Sequence, residues 1–186
     1  MVKNQTGYEI ERLPRPGSAL YNLNHPDNQI KKKTLKRYKR INKYLVVPLY
    51  RIRLLPLLGF GRLFLLLATK GRISGKKRRT PLEYHRIDGI ITIFSGRGED
   101  SGWMKNIHAD PESVSVRHGF HSFHAKVEFI NEESKKLNIA EWYVTHHSRS
   151  AKMLFGWNPK IDNPESTDFN NLLNLISILQ LIPKET

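Results

Sequence analysis

The sequence predicts an α+β domain, mainly β, in which an antiparallel sheet or barrel follows an amphipathic helix and precedes a second one. Three observations carry this. Short apolar or alternating runs between residues 63 and 130 are separated by tight-turn signals. In residues 31–53, Leu35, Tyr38, Ile41, Leu45, Leu49 and Ile52 recur every three or four positions, which is helical spacing. In residues 132–147, Leu137, Ala140, Tyr143, Val144 and His147 share one helical face.

In chain order, residues 1–30 read as an irregular arm, because Pro14, Pro16, Gly17, Pro26 and several Asn disfavour regular structure. Residues 31–58 form a basic helical segment whose first part, 31–53, holds many Lys and Arg and no Asp or Glu. Pro48 should end or kink that helix before its apolar pattern runs out. Two uses of this segment stay open and are compatible: packing on the core with a solvated basic face, or attachment to an anionic membrane surface.

Residues 59–182 read as the barrel domain and 183–186 as a tail. The run 63–69 is nearly continuously apolar, as in a strand covered on both faces. A glycine- and cation-rich turn follows at 71–77, and a returning strand at 79–86. Asp88-Gly89 is a two-residue hairpin signal, and 90–95 is the next strand. Val114, Val116 and His118 alternate with polar neighbours, as do Phe123, Ala125, Val127 and Phe129, with Gly119 turning the chain between them. The helix at 132–147 has Asn131 as its expected N-cap and acidic residues in its first turn. Gly156, Pro159 and Pro164 mark a loop, 169–175 a short helix, and 176–182 a last strand.

A chain of 186 residues suits one domain. It has no cysteine, which removes disulfides, thiolate nucleophiles and cysteine-ligated metal clusters and fits a reducing compartment. Lys and Arg exceed Asp and Glu by 31 to 17, a formal charge of +14 that must meet nucleic acid, an anionic membrane or a polyanionic ligand. The most apolar stretch, 54–68, is interrupted by charge and too short to span a bilayer. The start carries no apolar leader segment, so the expectation is a cytoplasmic protein, with peripheral attachment at the inner membrane face left open.

The chemistry concentrates in three segments. Gly71-Arg72-Ile73-Ser74-Gly75-Lys76-Lys77-Arg78-Arg79-Thr80-Pro81-Leu82 gives a tight backbone crowded with cations, a place for phosphate oxygens. It is not a Walker A loop, since only three residues separate Gly71 from Gly75 and Lys77 stands where Ser or Thr is required. Read alone, it could equally be an exposed basic hairpin turn. Ser95-Gly96-Arg97-Gly98-Glu99 follows a strand and lets a planar ligand approach the backbone. In Gly102-Trp103-Met104-Lys105-Asn106, Trp103 and Asn106 stand three apart and share a helix face.

Together these segments resemble the deazaflavin-dependent nitroreductase family. Its pattern of T-G-R-x-S/T-G-x-x-R-x-x-P-L, a D-G hairpin, a small-residue turn with a cation, and W-x-x-N-x-x-A-x-P is matched in order. Here it reads Thr69, Gly71-Arg72, Ser74-Gly75, Arg78, Pro81-Leu82, Asp88-Gly89, Ser95-Gly96-Arg97, Trp103, Asn106, Ala109 and Pro111. The likeness is close over residues 59–129. Three positions depart from it: Ile73 replaces a second cation, Gly102 a proline, and Glu83 an aromatic found in some relatives.

The resemblance implies a split β-barrel related to FMN-binding folds and coenzyme F-420, an 8-hydroxy-5-deazaflavin with a phospholactate and oligoglutamate tail. It implies that Arg72, Ser74, Lys76 and Arg78 bind the tail. Thr80, Pro81, Ser95, Gly96 and Arg97 would line the ring site, braced by Trp103 and Asn106. The implied reaction delivers a hydride from reduced deazaflavin to a quinone, nitro compound or activated alkene. Tyr84, Tyr143 and His147 are proton-donor candidates by position.

Alternatives are a barrel holding FMN, FAD or haem, or a basic module that binds nucleic acid or membrane without catalysis. The amphipathic basic helix and the lack of an aromatic strand surface argue against nucleic acid. A homodimer is one option for the assembly. His118, His121 and His124 are regularly spaced but lack an accompanying carboxylate-rich or HExxH pattern, so no metal is assigned.

Overall fold

The structure, a computed structural model, describes residues 13–52, 54–57 and 62–184. Six antiparallel strands close into a barrel in the order β1-β2-β3-β6-β5-β4. They are β1 Phe64–Lys70, β2 Lys77–Ile87, β3 Ile90–Ser95, β4 Ser115–His118, β5 His121–Ile130 and β6 Ser177–Pro183. Alternation of side chains along each strand sends one set inward. Leu65, Leu67, Tyr84, Ile91, Ile93, Val116, Ala125, Leu179 and Leu181 meet there in one buried core. The expectation for β1 holds, since all five residues from Leu65 to Thr69 are buried, on both faces of the strand. The Asp88-Gly89 turn has φ of 51° and 79°, the positive pair that a two-residue hairpin requires.

β2 is longer than its neighbours can use. It pairs with β1 from Lys77 to Glu83 but with β3 only from Tyr84 to Ile87. Its first half is therefore open on one side.

The helices are α1 Ala19–Leu23, α2 Asn28–Ile41, α3 Val47–Arg51, α4 Leu54–Leu57, α5 Gly102–Ala109, α6 Glu133–His146, α7 Ser148–Phe155 and α8 Asn170–Leu175. Helix α5 sends Met104 and Ile107 into the barrel core. Leu13, Leu20, Tyr143, Phe155, Trp157 and Phe169 build a second core outside the barrel. Arg15 joins this layer through two 2.7 Å bonds to Asp162 and one to the Gly156 carbonyl.

Four local expectations are corrected. Residues 19–23, expected as irregular arm, are helical: Ser18 caps the turn and Leu20 is buried against the second core. α2 likewise starts at Asn28, capped by Asp27. Pro48 does not end the basic helix. A π-helical turn at Asn42–Val46 joins α2 to α3, widening the turn where the proline ring would crowd the preceding carbonyls. The N-cap of α6 is Glu132 rather than Asn131, and Ile139 rather than Leu137 joins Ala140, Tyr143 and Val144 on the buried face. Residues 1–12 of the expected arm, Arg53 and residue 58 of the basic segment, residues 59–61 at the start of the barrel domain and 185–186 of the tail lie outside the described residues.

Tyr50 fastens the basic helix to the barrel. It is fully buried, its hydroxyl lies 3.1 and 3.2 Å from the carbonyls of Phe64 and Arg117, and it accepts the Gly119 N–H at 3.0 Å. The apolar stripe expected to seat this helix is largely exposed at Tyr38, Ile41, Leu45 and Ile52. No residue of α2 is buried.

Candidate functional site

The glycine turn forms because Gly71 and Gly75 accept geometries a side chain resists. Gly71 N–H donates to the Lys76 carbonyl at 2.9 Å and Gly75 N–H to the Gly71 carbonyl at 2.7 Å. Gly75 has φ of +64°. A Cβ on Gly71 would stand 3.0 Å from Ser74 Oγ and 3.1 Å from the Lys76 carbonyl oxygen, so glycine lets the turn fold on itself. Arg78 donates to Ser74 Oγ at 3.2 Å across the turn.

Asn106 brings the tryptophan segment to this turn. It is 7% exposed, donates through Nδ2 to Thr69 Oγ1 at 3.1 Å, and accepts the Arg72 backbone N–H at 3.2 Å through Oδ1. One amide thus ties α5 to the end of β1 and to the start of the turn. The Arg72 guanidinium also reaches Oδ1, at 3.5 Å.

A cleft of 870 Å³ opens between these segments and the basic helix. Arg72, Ser74, Arg78, Thr80, Pro81, Arg97, Trp103 and Asn106, expected from the sequence, all line it. Three expected residues do not. Lys76 is exposed on the turn, and Lys77 and Arg79 line the cleft instead. Ser95 is buried, donating to the Gly98 carbonyl at 2.7 Å and bonding Ser101 Oγ at 2.7 Å, which holds the loop that carries Arg97. Gly96 faces α1, where a Cβ would stand 2.8 Å from Leu20 Cδ1.

Sequence reading missed the far wall: Leu35, Lys39, Asn42, Lys43 and Val47 of the basic helix line the cleft too. The signal was available in a run from residue 28 to 82 without a single carboxylate.

Lys39, Lys43, Arg72, Lys77, Arg78, Arg79 and Arg97 place seven cations around the cleft, and no Asp or Glu lines it. Arg97 Nε is buried and has no hydrogen-bond partner among the described residues, so a donor waits beside the cavity. Half-buried Trp103 offers a flat apolar face. This donor set fits a ligand with a planar ring and an acidic extension.

The three proton-donor candidates lie elsewhere. Tyr84 points into the barrel core, where burial raises its pKa, and its ring stands 5.8 Å from that of His118. Tyr143 and His147 pack with His85, at ring distances of 4.8 and 4.2 Å, on the outer face of the barrel. Burial, then the Glu83 charge, drives the Tyr143 hydroxyl well above its ordinary range. Burial, then His85, lowers the His147 pKa, with Glu83 opposing. None of the three lines the cleft.

Across the β4–β5 hairpin, His118 and His121 face one another at 5.6 Å, while His124 lies on the outer face opposite Ser115. No group of three His, Asp or Glu among the described residues could hold a metal ion, and no described helix is long and apolar enough to cross a membrane.

Among solved structures, the chain is similar to an F420-H2 dependent reductase (FDR-A), with 23% identity over 65% of this chain and 95% of that one and a TM-score of 0.44. It is similar to a conserved hypothetical protein from Mycobacterium tuberculosis, with 21% identity over 66% and 73% and a TM-score of 0.45. It is also similar to a FAD-binding protein from Mesorhizobium loti, with 15% identity over 66% and 82% and a TM-score of 0.43. No curated protein matches its sequence. The family model for F420H(2)-dependent quinone reductase matches residues 56–151, more than half of the chain, and the protein belongs to that family as a deazaflavin-dependent oxidoreductase.

Proposed function

We propose that the cleft holds reduced coenzyme F-420 and that the protein passes its hydride to a quinone, nitro compound or activated alkene. The observation that carries this is the meeting of seven cations, no carboxylate and Trp103 in one cavity. The bound deazaflavin supplies the hydride. Arg72, Ser74 and Arg78, joined by Lys77 and Arg79, bind the phosphate and carboxylates through charge-assisted hydrogen bonds. Trp103, Thr80, Pro81 and Arg97 orient the ring, and Asn106 acts as a positioning residue that holds Arg72 in place. Leu35 and Val47 close the far wall and limit water.

The test is to titrate purified protein with reduced deazaflavin, following tryptophan fluorescence, and then to add menadione. Binding at micromolar concentration and reoxidation are expected, both weakened in Arg72→Ala and Arg78→Ala. Retention of FMN or FAD through purification, with no response to reduced deazaflavin, refutes the reading.

A membrane-surface acceptor is favoured by one further observation. Tyr44, Leu45, Ile52 and Leu57 are 69, 54, 70 and 74% exposed beside a run of Lys and Arg. Such a face suits an anionic bilayer, where apolar quinones also reside. Flotation with phosphatidylserine vesicles, absent with phosphatidylcholine alone and lost in Leu45→Ser/Ile52→Ser, is the expected result; equal flotation of wild type and variant refutes it.

A further inference from the structure

A second cavity, of 440 Å³, lies on the outer face of the barrel over β1, β4 and β5. The strand register lays it out in rows. Arg79, Ala68, Ser115 and His124 stand side by side across β2, β1, β4 and β5. In the next row come Pro81, Leu66, Arg117 and Ser122. Neighbouring strands are about 4.8 Å apart, so each row spans about 14 Å.

The floor is small and closed, with Leu66 and Ala68 4 and 6% exposed. The walls are cationic: Arg51 from α3, Lys77, Arg79 and Arg117 line it together with His124, Ser115 and Ser122. No carboxylate lines the trough, and none of the four cations is in an ion pair with an acidic side chain among the described residues. Four unneutralised cations around one depression mark a place for negative charge.

The trough adjoins the cleft, since Lys77 and Arg79 line both. An anionic chain leaving the cleft would pass from those two side chains to Arg117, Arg51 and His124 without crossing an acidic residue. At about 3.3 Å per extended residue, 14 Å takes about four links.

We propose that this trough is a second anion site that receives an extended chain of carboxylates or phosphates. The ligand is either the acidic extension of the molecule in the cleft, which rests on the function proposed above, or a separate oligoanion. Arg51 and Arg117 belong to the trough alone and therefore report on it.

The experiment titrates the full chain at low salt with two probes, inorganic tripolyphosphate and a tetraglutamate peptide. It compares wild type with Arg51→Gln/Arg117→Gln and with a control of equal charge, Lys32→Gln/Lys36→Gln. Binding that weakens about tenfold or more in the first variant, and not in the control, is expected from the loss of two charge-assisted contacts. Equal weakening in both, or no binding by wild type, overturns the proposal.

A second arm compares reduced deazaflavin carrying its acidic chain with the chain-free deazaflavin nucleoside. If the cofactor's chain is the ligand, the trough variant weakens only the former. If a separate oligoanion is the ligand, the variant weakens tripolyphosphate and leaves both deazaflavins unchanged. Should deazaflavin fail to bind while tripolyphosphate still depends on Arg51 and Arg117, the proposed function falls and the trough stands. If neither probe nor either deazaflavin responds to the variant, the trough falls and the cleft is untouched.

Discussion

Asn106→Ala tests whether one amide assembles the cleft. The side chain is 7% exposed and makes two short bonds, 3.1 Å to Thr69 Oγ1 and 3.2 Å from the Arg72 N–H. Each neutral bond contributes about 1 kcal/mol net, and truncation leaves the 2% exposed Thr69 hydroxyl and a part-buried N–H without partners. A loss of about 2–3 kcal/mol follows. For a domain of this size each kcal/mol lowers Tm by about 2–4 °C, so thermal unfolding followed by circular dichroism should show a fall of about 4–12 °C. The cycle with Thr69→Val isolates the Thr69–Asn106 bond and should return a coupling of about 1 kcal/mol. Reduced-deazaflavin affinity should fall about tenfold as Arg72 loses its anchor, roughly 1.4 kcal/mol. A Tm within about 2 °C of wild type, with additive single variants, would show that the turn and α5 hold their places without Asn106.

Tyr50→Phe keeps the ring and removes the hydroxyl that meets Phe64, Arg117 and Gly119, so a loss of about 2 kcal/mol is expected in denaturant unfolding, with an unchanged m-value. A variant as stable as wild type would mean that the basic helix is held by other contacts. The His147 pKa is lowered from 6.5 by burial and by His85, so the unfolded chain binds its proton more readily. Its contribution to stability is therefore present above about pH 6.5 and is lost as pH falls through the folded pKa. Tm should drop on acidification from pH 7.5 to 5, less steeply in His147→Gln; identical slopes would remove His147 from the account.

Much of the barrel was legible because its signals are local. β1 read correctly since a strand covered on both faces is apolar at nearly every covered position, and the Asp88-Gly89 pair demands its own turn. Two walls of the cleft were legible for the same reason, each lying within a dozen consecutive residues. The third wall was not, because nothing in residues 35–47 says which strand they pack beside. Helical spacing also misjudged the face of that segment: Tyr38, Ile41 and Leu45 stay exposed, and Tyr50, off the stripe, makes the buried attachment. Helix α1 escaped notice because five residues hold a helix only where the second core buries Leu20. Gly96 reads as room for a ligand, yet its neighbour is that same helix.

The overhang of β2 has a consequence for solubility. From Lys77 to Glu83 the strand presents an unmatched backbone edge on its β3 side, the kind of surface that recruits a strand from another chain. Pro81 removes one donor from that row, and Lys77, Arg78 and Arg79 crowd it with like charges. The residues that suit a small acidic ligand are thus also the ones that repel a second polypeptide, and replacing them with neutral side chains would invite intermolecular sheet growth at the mouth of the cleft.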